Sequence, residues 1–155
     1  MTTDYIVSSL PALAFDAPPP LSAEAFDALA AGRLDKPLAA WKDLEAQLRN
    51  AVACCRTGGA KYVRPVEGCS LYWRERIAAC FQEHDIAKRE DMLDRVFWDA
   101  AGELTPPASP LGEGALATYA VRLGIVAKRS RMSRDEGNAL FEKLAEAARP
   151  EGQTL

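Results

Sequence analysis

The ten prolines are the strongest constraint on this chain, because of where they are missing. They cluster at Pro18-Pro19-Pro20 and at Pro106, Pro107 and Pro110, with single ones at Pro11, Pro37, Pro65 and Pro150. Residues 66–105 and 111–149 contain none. Proline lacks a backbone N–H and its ring collides with the preceding helical turn, so helix interiors exclude it. Each proline-free interval has room for one or two helices. Apolar residues within them recur every three or four positions, the helical period. The pattern predicts an all-α bundle of about six helices in a single domain over residues 1–155. With 155 residues, 48% of them hydrophobic, there is enough apolar side chain for a core.

The ends read differently. Tyr5, Ile6 and Val7 are β-formers, and the proline triplet favours polyproline geometry, so residues 1–20 are expected as an extended arm. From Pro150 onward the tail, 150–155, is expected to fray. Between them, Ser22 is a good N-cap, with Leu21 and Phe26 placed as a hydrophobic staple for a helix reaching about Ala31 and stopping near Gly32. A second helix runs from Asp35 to the Gly58-Gly59 pair, with Pro37 tolerated in its first turn. Its apolar residues Trp41, Leu44, Leu48, Val52 and Cys55 form a narrow seam, bordered by Glu45, Arg49 and Arg56. Residues Thr57 to Ser70 are irregular, with a short extended piece possible around Val63 and Val66. Helical spacing resumes over Leu71–Phe81 and again from about Lys88 to Leu104. In the latter, Leu93, Val96, Phe97, Ala100 and Leu104 share a face, whereas Trp98 lies about 140° from Leu93 and offers a second contact. A further helix is expected over Leu111–Ala127. The basic run Lys128-Arg129-Ser130-Arg131 would close it, and a capping box, Ser133 to Glu136, would open the last one.

Charge and targeting signals narrow the function classes. Lys+Arg 19 against Asp+Glu 22 gives a net charge of −3, without the basic excess usual in nucleic-acid modules. No run approaches the roughly 18 apolar residues of a membrane-spanning helix. The apolar stretch Ile6–Phe15 imitates a signal peptide, but the residues before it carry Asp4 and no cation, and Pro11 interrupts it. A cytoplasmic chain with free thiols at Cys54, Cys55, Cys69 and Cys80 is the expectation.

Catalytic and metal motifs are weak. The one histidine, His84, follows Cys80 by four residues, a spacing that could share a metal on a helix, yet no C-x-x-C pair supports a zinc site. Gly58-Gly59-Ala60-Lys61 lacks phosphate-loop spacing and follows a helix, where glycines serve as C-caps. Carboxylate pairs Glu90-Asp91 and Asp135-Glu136 fall at expected helix starts, where the dipole favours them. No catalytic, cofactor or metal residue is assigned, and the chain is read as no enzyme. The informative features are apolar seams and a displaced tryptophan, which are contact features.

Two groups of residues carry a family resemblance. Tyr5-Ile6-Val7-Ser8-Ser9-Leu10-Pro11-Ala12-Leu13, Phe15, Pro19-Pro20-Leu21-Ser22 and Phe26 resemble the opening of an uncharacterised bacterial family encoded alongside V-type (A/V-type) ATPase subunits. Trp41, Glu45, Leu48-Arg49-Asn50-Ala51 and Arg56 resemble that family's central Leu-Arg-Asn-Ala signature. Leu93-Asp94-Arg95, Trp98-Asp99 and Glu103-Leu104 fit the same pattern, as do Tyr119, Leu123, Glu136-Gly137 and Phe141. The family is in turn similar to the helical C/d-type subunit that couples the ATPase rotor stalk to the membrane ring. The resemblance implies a non-catalytic linker or assembly partner in proton or sodium transport, without a nucleotide site. It would be peripheral at the inner membrane at most, through the ATPase.

The expected partner surface comprises Glu45, Arg49, Asn50, Arg56, Arg95 and Trp98, for contact with V-type ATPase subunits of the central stalk or membrane ring. Each has an intramolecular alternative: Arg49 pairing with Glu45, for example, or Asn50 tying a loop to the bundle. Two other classes remain open. One is a thiol- or zinc-dependent enzyme built on Cys54, Cys55, Cys69 and His84; the other is a nucleic-acid-binding regulator using Lys128 to Arg134.

Overall fold

The computed structural model describes residues 1–57 and 70–148, giving the backbone path alone for residues 57 and 133–138. Among the described residues the architecture is an all-α bundle: α1 (Thr3–Ser9), α2 (Ala23–Ala30), α3 (Asp35–Thr57), α4 (Leu71–Cys80), α5 (Ile86–Ala101), a 3-10 turn (Gly102–Leu104) and α6 (Glu113–Ala147). None of these helices is long and apolar enough to cross a membrane.

The middle of the bundle is organised around α5. Its N-terminus is fixed by Asp85, whose carboxylate accepts from the Ala87 and Lys88 amides at 2.9 and 3.2 Å, two residues earlier than the spacing predicts. Contacts along α5 set the directions of its neighbours. Glu90 meets Arg56 of α3, and Phe97, farther on, meets Arg49, so α3 runs antiparallel to α5. Asp94, Trp98 and Ala101 meet Lys128, Arg122 and Thr118 in that order, so α6 is antiparallel to it as well. On the α4 side, Arg76 pairs with Asp99, and Trp73 Nε1 donates to Glu103 just past the helix end. Three helices thus run parallel to one another around an antiparallel centre.

Two apolar clusters hold this arrangement. In the first, Leu93, Val96 and Ala100 of α5 pack with Trp41 and Leu48 of α3 and with Trp73, Ile77 and Cys80 of α4. In the second, Trp98 packs with Leu116, Leu123 and Val126 of α6 and with Ile6, Phe15, Phe26 and Ala30 from the N-terminal elements. The second contact expected for Trp98 exists, and it is internal: Trp98 is 8% exposed and its ring stands edge-on to Phe15 at 5.6 Å.

Three local expectations are corrected. The arm is not extended throughout, because residues 3–9 form a helix. Thr2 caps it, the Ser8 and Ser9 hydroxyls donate back to the Asp4 and Ile6 carbonyls, and Ile6 is fully buried in the second cluster. Tertiary burial overrides the β preference of Tyr5-Ile6-Val7. The chain then becomes extended at Leu10, as the following Pro11 requires. The two C-terminal helices are one: α6 continues through Lys128–Ser133. The basic residues that resemble a helix exit point sideways instead, Lys128 to Asp94 and Arg129 to Asp91, Asp94 and Asp16. Finally, α6 opens at Glu113 rather than Leu111, where Gly114 lets it approach the preceding turn. A Cβ there would lie 2.0 Å from the Leu104 carbonyl oxygen.

Other expectations hold. Ser22 caps α2 through the Ala25 amide at 3.1 Å, Leu21 and Phe26 join one cluster, and Gly32 takes a positive φ of 78°. The Val63–Val66 piece, the Gly58-Gly59 cap, the Ser133–Glu136 capping side chains and the 150–155 tail lie outside the described residues.

Candidate functional site

A groove of about 820 Å³ is lined by α3, α5 and α6. The lining follows from sequence spacing. On α3, Trp41, Glu45, Arg49, Val52, Ala53 and Arg56 recur at three and four residues and so share one wall. Residues Glu90, Leu93, Asp94 and Phe97 of α5 form the floor by the same rule. On α6, Ala120, Val121, Gly124, Ile125 and Lys128 make the second wall. Gly124 sits there with nothing within 4 Å of where a Cβ would be, so this wall is open rather than closely packed.

The groove mixes apolar and charged side chains, with Glu90 and Asp94 beside Leu93 and Phe97 on its floor. Leu93 is buried, while Phe97, Val121 and Ile125 are half-buried and present apolar surface. Three ion pairs lie along the groove: Glu45–Arg49 at 2.8 Å, Arg56–Glu90 at 2.7 Å and Asp94–Lys128 at 2.8 Å. Arg49 also lies 5.7 Å from the centre of the Phe97 ring, its cation facing the aromatic quadrupole. The first two pairs are well exposed, and such pairs contribute about 0.2–1 kcal/mol each.

The six expected surface residues divide. Glu45, Arg49, Asn50 and Arg56 all line the groove. Arg95 and Trp98 do not. Arg95 lies on the far side of α5, where its guanidinium covers the Phe15 ring at 5.0 Å and reaches Asp99 at 3.5 Å. Trp98 is covered from above by Arg122, 4.9 Å from its ring, whose Nε donates to the Trp98 carbonyl at 3.0 Å. Burial holds the Arg122 pKa below its ordinary value. Trp98 is therefore corrected to internal packing, whereas Arg95, about half exposed, lies outside the groove on another face of α5. For Trp98 the reason is that neighbours cover α5 on its side, and a helix wheel cannot say which side meets solvent. The α6 wall was missed altogether. Its signal was Gly124 inside a helical run, a residue that weakens a helix unless the space matters.

The zinc set weighed as an alternative is not assembled among the described residues. Cys54 and Cys55 are exposed on α3, Cys80 is buried between α4 and its neighbours, and His84 is exposed beyond the end of α4; Cys69 lies outside the described residues. Among the described residues no group of three His, Cys, Asp or Glu side chains could hold a metal. Burial raises the pKa of the Cys80 thiol, as it does that of Cys55, with the neighbouring Cys54 adding to the latter. Such thiols are poor nucleophiles. In the basic run, Lys128 and Arg129 are ion-paired to α5, and Arg129 stacks 3.8 Å from the centre of the Phe15 ring.

No protein-family model, curated protein or solved structure matches this chain.

Proposed function

We propose that the protein is a non-catalytic docking module that seats a polypeptide in the α3–α5–α6 groove, and that its partners are V-type ATPase subunits of the central stalk or membrane ring. The observation carrying this reading is the groove itself, lined by apolar and charged side chains together. Grooves of that kind receive the apolar face of a partner helix. Four residues that resemble the ATPase-associated family, Glu45, Arg49, Asn50 and Arg56, lie along its α3 wall, which supports the choice of partner. Linker and assembly factor are both compatible with such a dock.

Purified V-type ATPase stalk and ring subcomplexes, captured on the tagged protein, test the proposal. Gly124→Trp is the decisive variant, since it places a large side chain in open space and leaves both clusters intact. Wild type should retain a subunit and Gly124→Trp, with unchanged thermal unfolding, should lose it. If wild type retains none, or if the blocked variant retains the subunit equally well, the reading is wrong.

A further inference from the structure

Cys54 and Cys55 are adjacent on the last turn of α3, and both are exposed. The groove does not use them: Ala53 and Arg56 on either side line it, and the two thiols do not.

What two adjacent thiols can hold follows from their spacing and number. A disulfide needs Cα atoms about 4.4–6.8 Å apart, whereas neighbouring residues hold theirs at about 3.8 Å, so the pair is poorly placed to close on itself. Zinc takes four protein ligands in structural sites and three in catalytic ones. Among the described residues no third His, Cys, Asp or Glu completes such a group here. Cys80, the other described thiol, is 3% exposed and donates to the Arg76 carbonyl at 3.3 Å. A centre suited to this pair is soft, prefers sulfur and needs two protein ligands.

Protonation narrows the ligand further. Burial raises the Cys55 pKa, with Cys54 adding to it, so that thiol meets an incoming group with its proton on. A ligand that carries its own proton acceptor overcomes this. The backbone can also deliver both sulfurs to one atom. Successive side chains on a helix diverge by about 100°, so the sulfurs must turn toward each other. Because α3 ends at Thr57, the carbonyls of residues 54–57 have no partner within the helix, and reshaping that turn breaks few hydrogen bonds.

We infer that Cys54 and Cys55 form a two-thiol site for the trivalent arsenic of a monosubstituted arsenical. In water such a compound carries one carbon substituent and two hydroxyls on arsenic. Each thiol replaces one hydroxyl: two As–O bonds break, two As–S bonds form, and each thiol proton leaves with its hydroxide as water. Arsenic stays trivalent, so the exchange needs neither oxidant nor reductant. Once one sulfur is attached the second is already at hand, which makes the pair far stronger than either thiol alone. The site is independent of the docking reading.

Electrospray mass spectrometry of the whole protein titrated with phenylarsine oxide tests this. Wild type should take up one arsenical and keep two of its four thiols titratable. Excess mercaptoethanol, a monothiol, should leave the adduct in place, and ethanedithiol should remove it. Tryptic digestion, cutting after Arg49 and Arg56, should leave the arsenic on residues 50–56, which hold no other thiol. Cys54→Ser and Cys55→Ser should each weaken binding at least about tenfold with unchanged circular dichroism, whereas Cys69→Ser should bind as wild type. Full affinity in Cys54→Ser, or arsenic recovered on a different peptide, would overturn the assignment. Loss of the adduct in Cys69→Ser would overturn it by making a third thiol a ligand. Release by mercaptoethanol as readily as by ethanedithiol would do so by showing attachment through one sulfur.

Discussion

The two halves of α6 are one helix in two environments. Up to about Arg129 it is packed on several sides: Leu116, Ala117, Leu123 and Val126 are buried, Tyr119 stacks on Phe26 at 5.3 Å and donates to the Pro11 carbonyl at 2.8 Å, and Arg129 pins residues 15 and 16. From Arg131 to Ala147, for about 25 Å, every described side chain is exposed, including Leu140, Phe141 and Leu144. The apolar spacing looks similar in both halves. What differs is the presence of neighbours, which shows that an amphipathic pattern records a helix's capacity for packing and leaves open whether anything packs there. An isolated helix of that length is marginal in water, so the second half depends on continuity with the first.

The largest expected effect separates the halves directly. Leu116→Ala should cost about 2–5 kcal/mol in chemical denaturation, since it removes a fully buried side chain, whereas Leu144→Ala should change stability by less than about 0.5 kcal/mol. Equal losses would mean that the distal half is packed in solution. Next comes the start of the packed half. Gly114→Ala should destabilise by about 1–3 kcal/mol, because the new methyl would meet the Leu104 carbonyl oxygen and force α6 from the turn that Thr118 also holds, its hydroxyl 2.9 Å from the Ala101 oxygen. An unchanged midpoint would show that the two segments separate at no cost. The smallest effect has the opposite sign. Gly124→Ala should raise stability by about 0.5–1 kcal/mol, as the groove leaves space for the methyl and alanine is the better helix former. A loss instead would mean that the groove is closed.

Much of the fold was legible in the sequence. Ser22 with Phe26 marked α2, Asp35 through Arg56 gave α3 nearly whole, and the proline-free intervals contained the remaining long helices. Failures came where local chemistry competed with contacts distant in sequence. Tyr5-Ile6-Val7 is helical because Ile6 is buried against the second cluster, and Lys128–Ser133 continues a helix because its cations find aspartates on α5. The candidate site was half legible for the same reason. The α3 border residues Glu45, Arg49 and Arg56 share a face by period alone and were found together, while Asn50 came from the family resemblance. Trp98 shares a helix with residues of the groove, yet Phe15 and Arg122 cover it, and neither is close to it in sequence; Arg95 stays exposed, but on another face.

Helical character, approximate element positions and the apolar seams were set by the sequence alone, since proline exclusion, capping and a 3.6-residue period act over a few neighbouring residues. Tertiary structure decided which seams became core, that α3, α5 and α6 would line one groove together, and which cation would pair with which carboxylate across helices. Those outcomes depend on contacts between residues tens of positions apart, and a local pattern carries no record of what the rest of the chain brings to meet it.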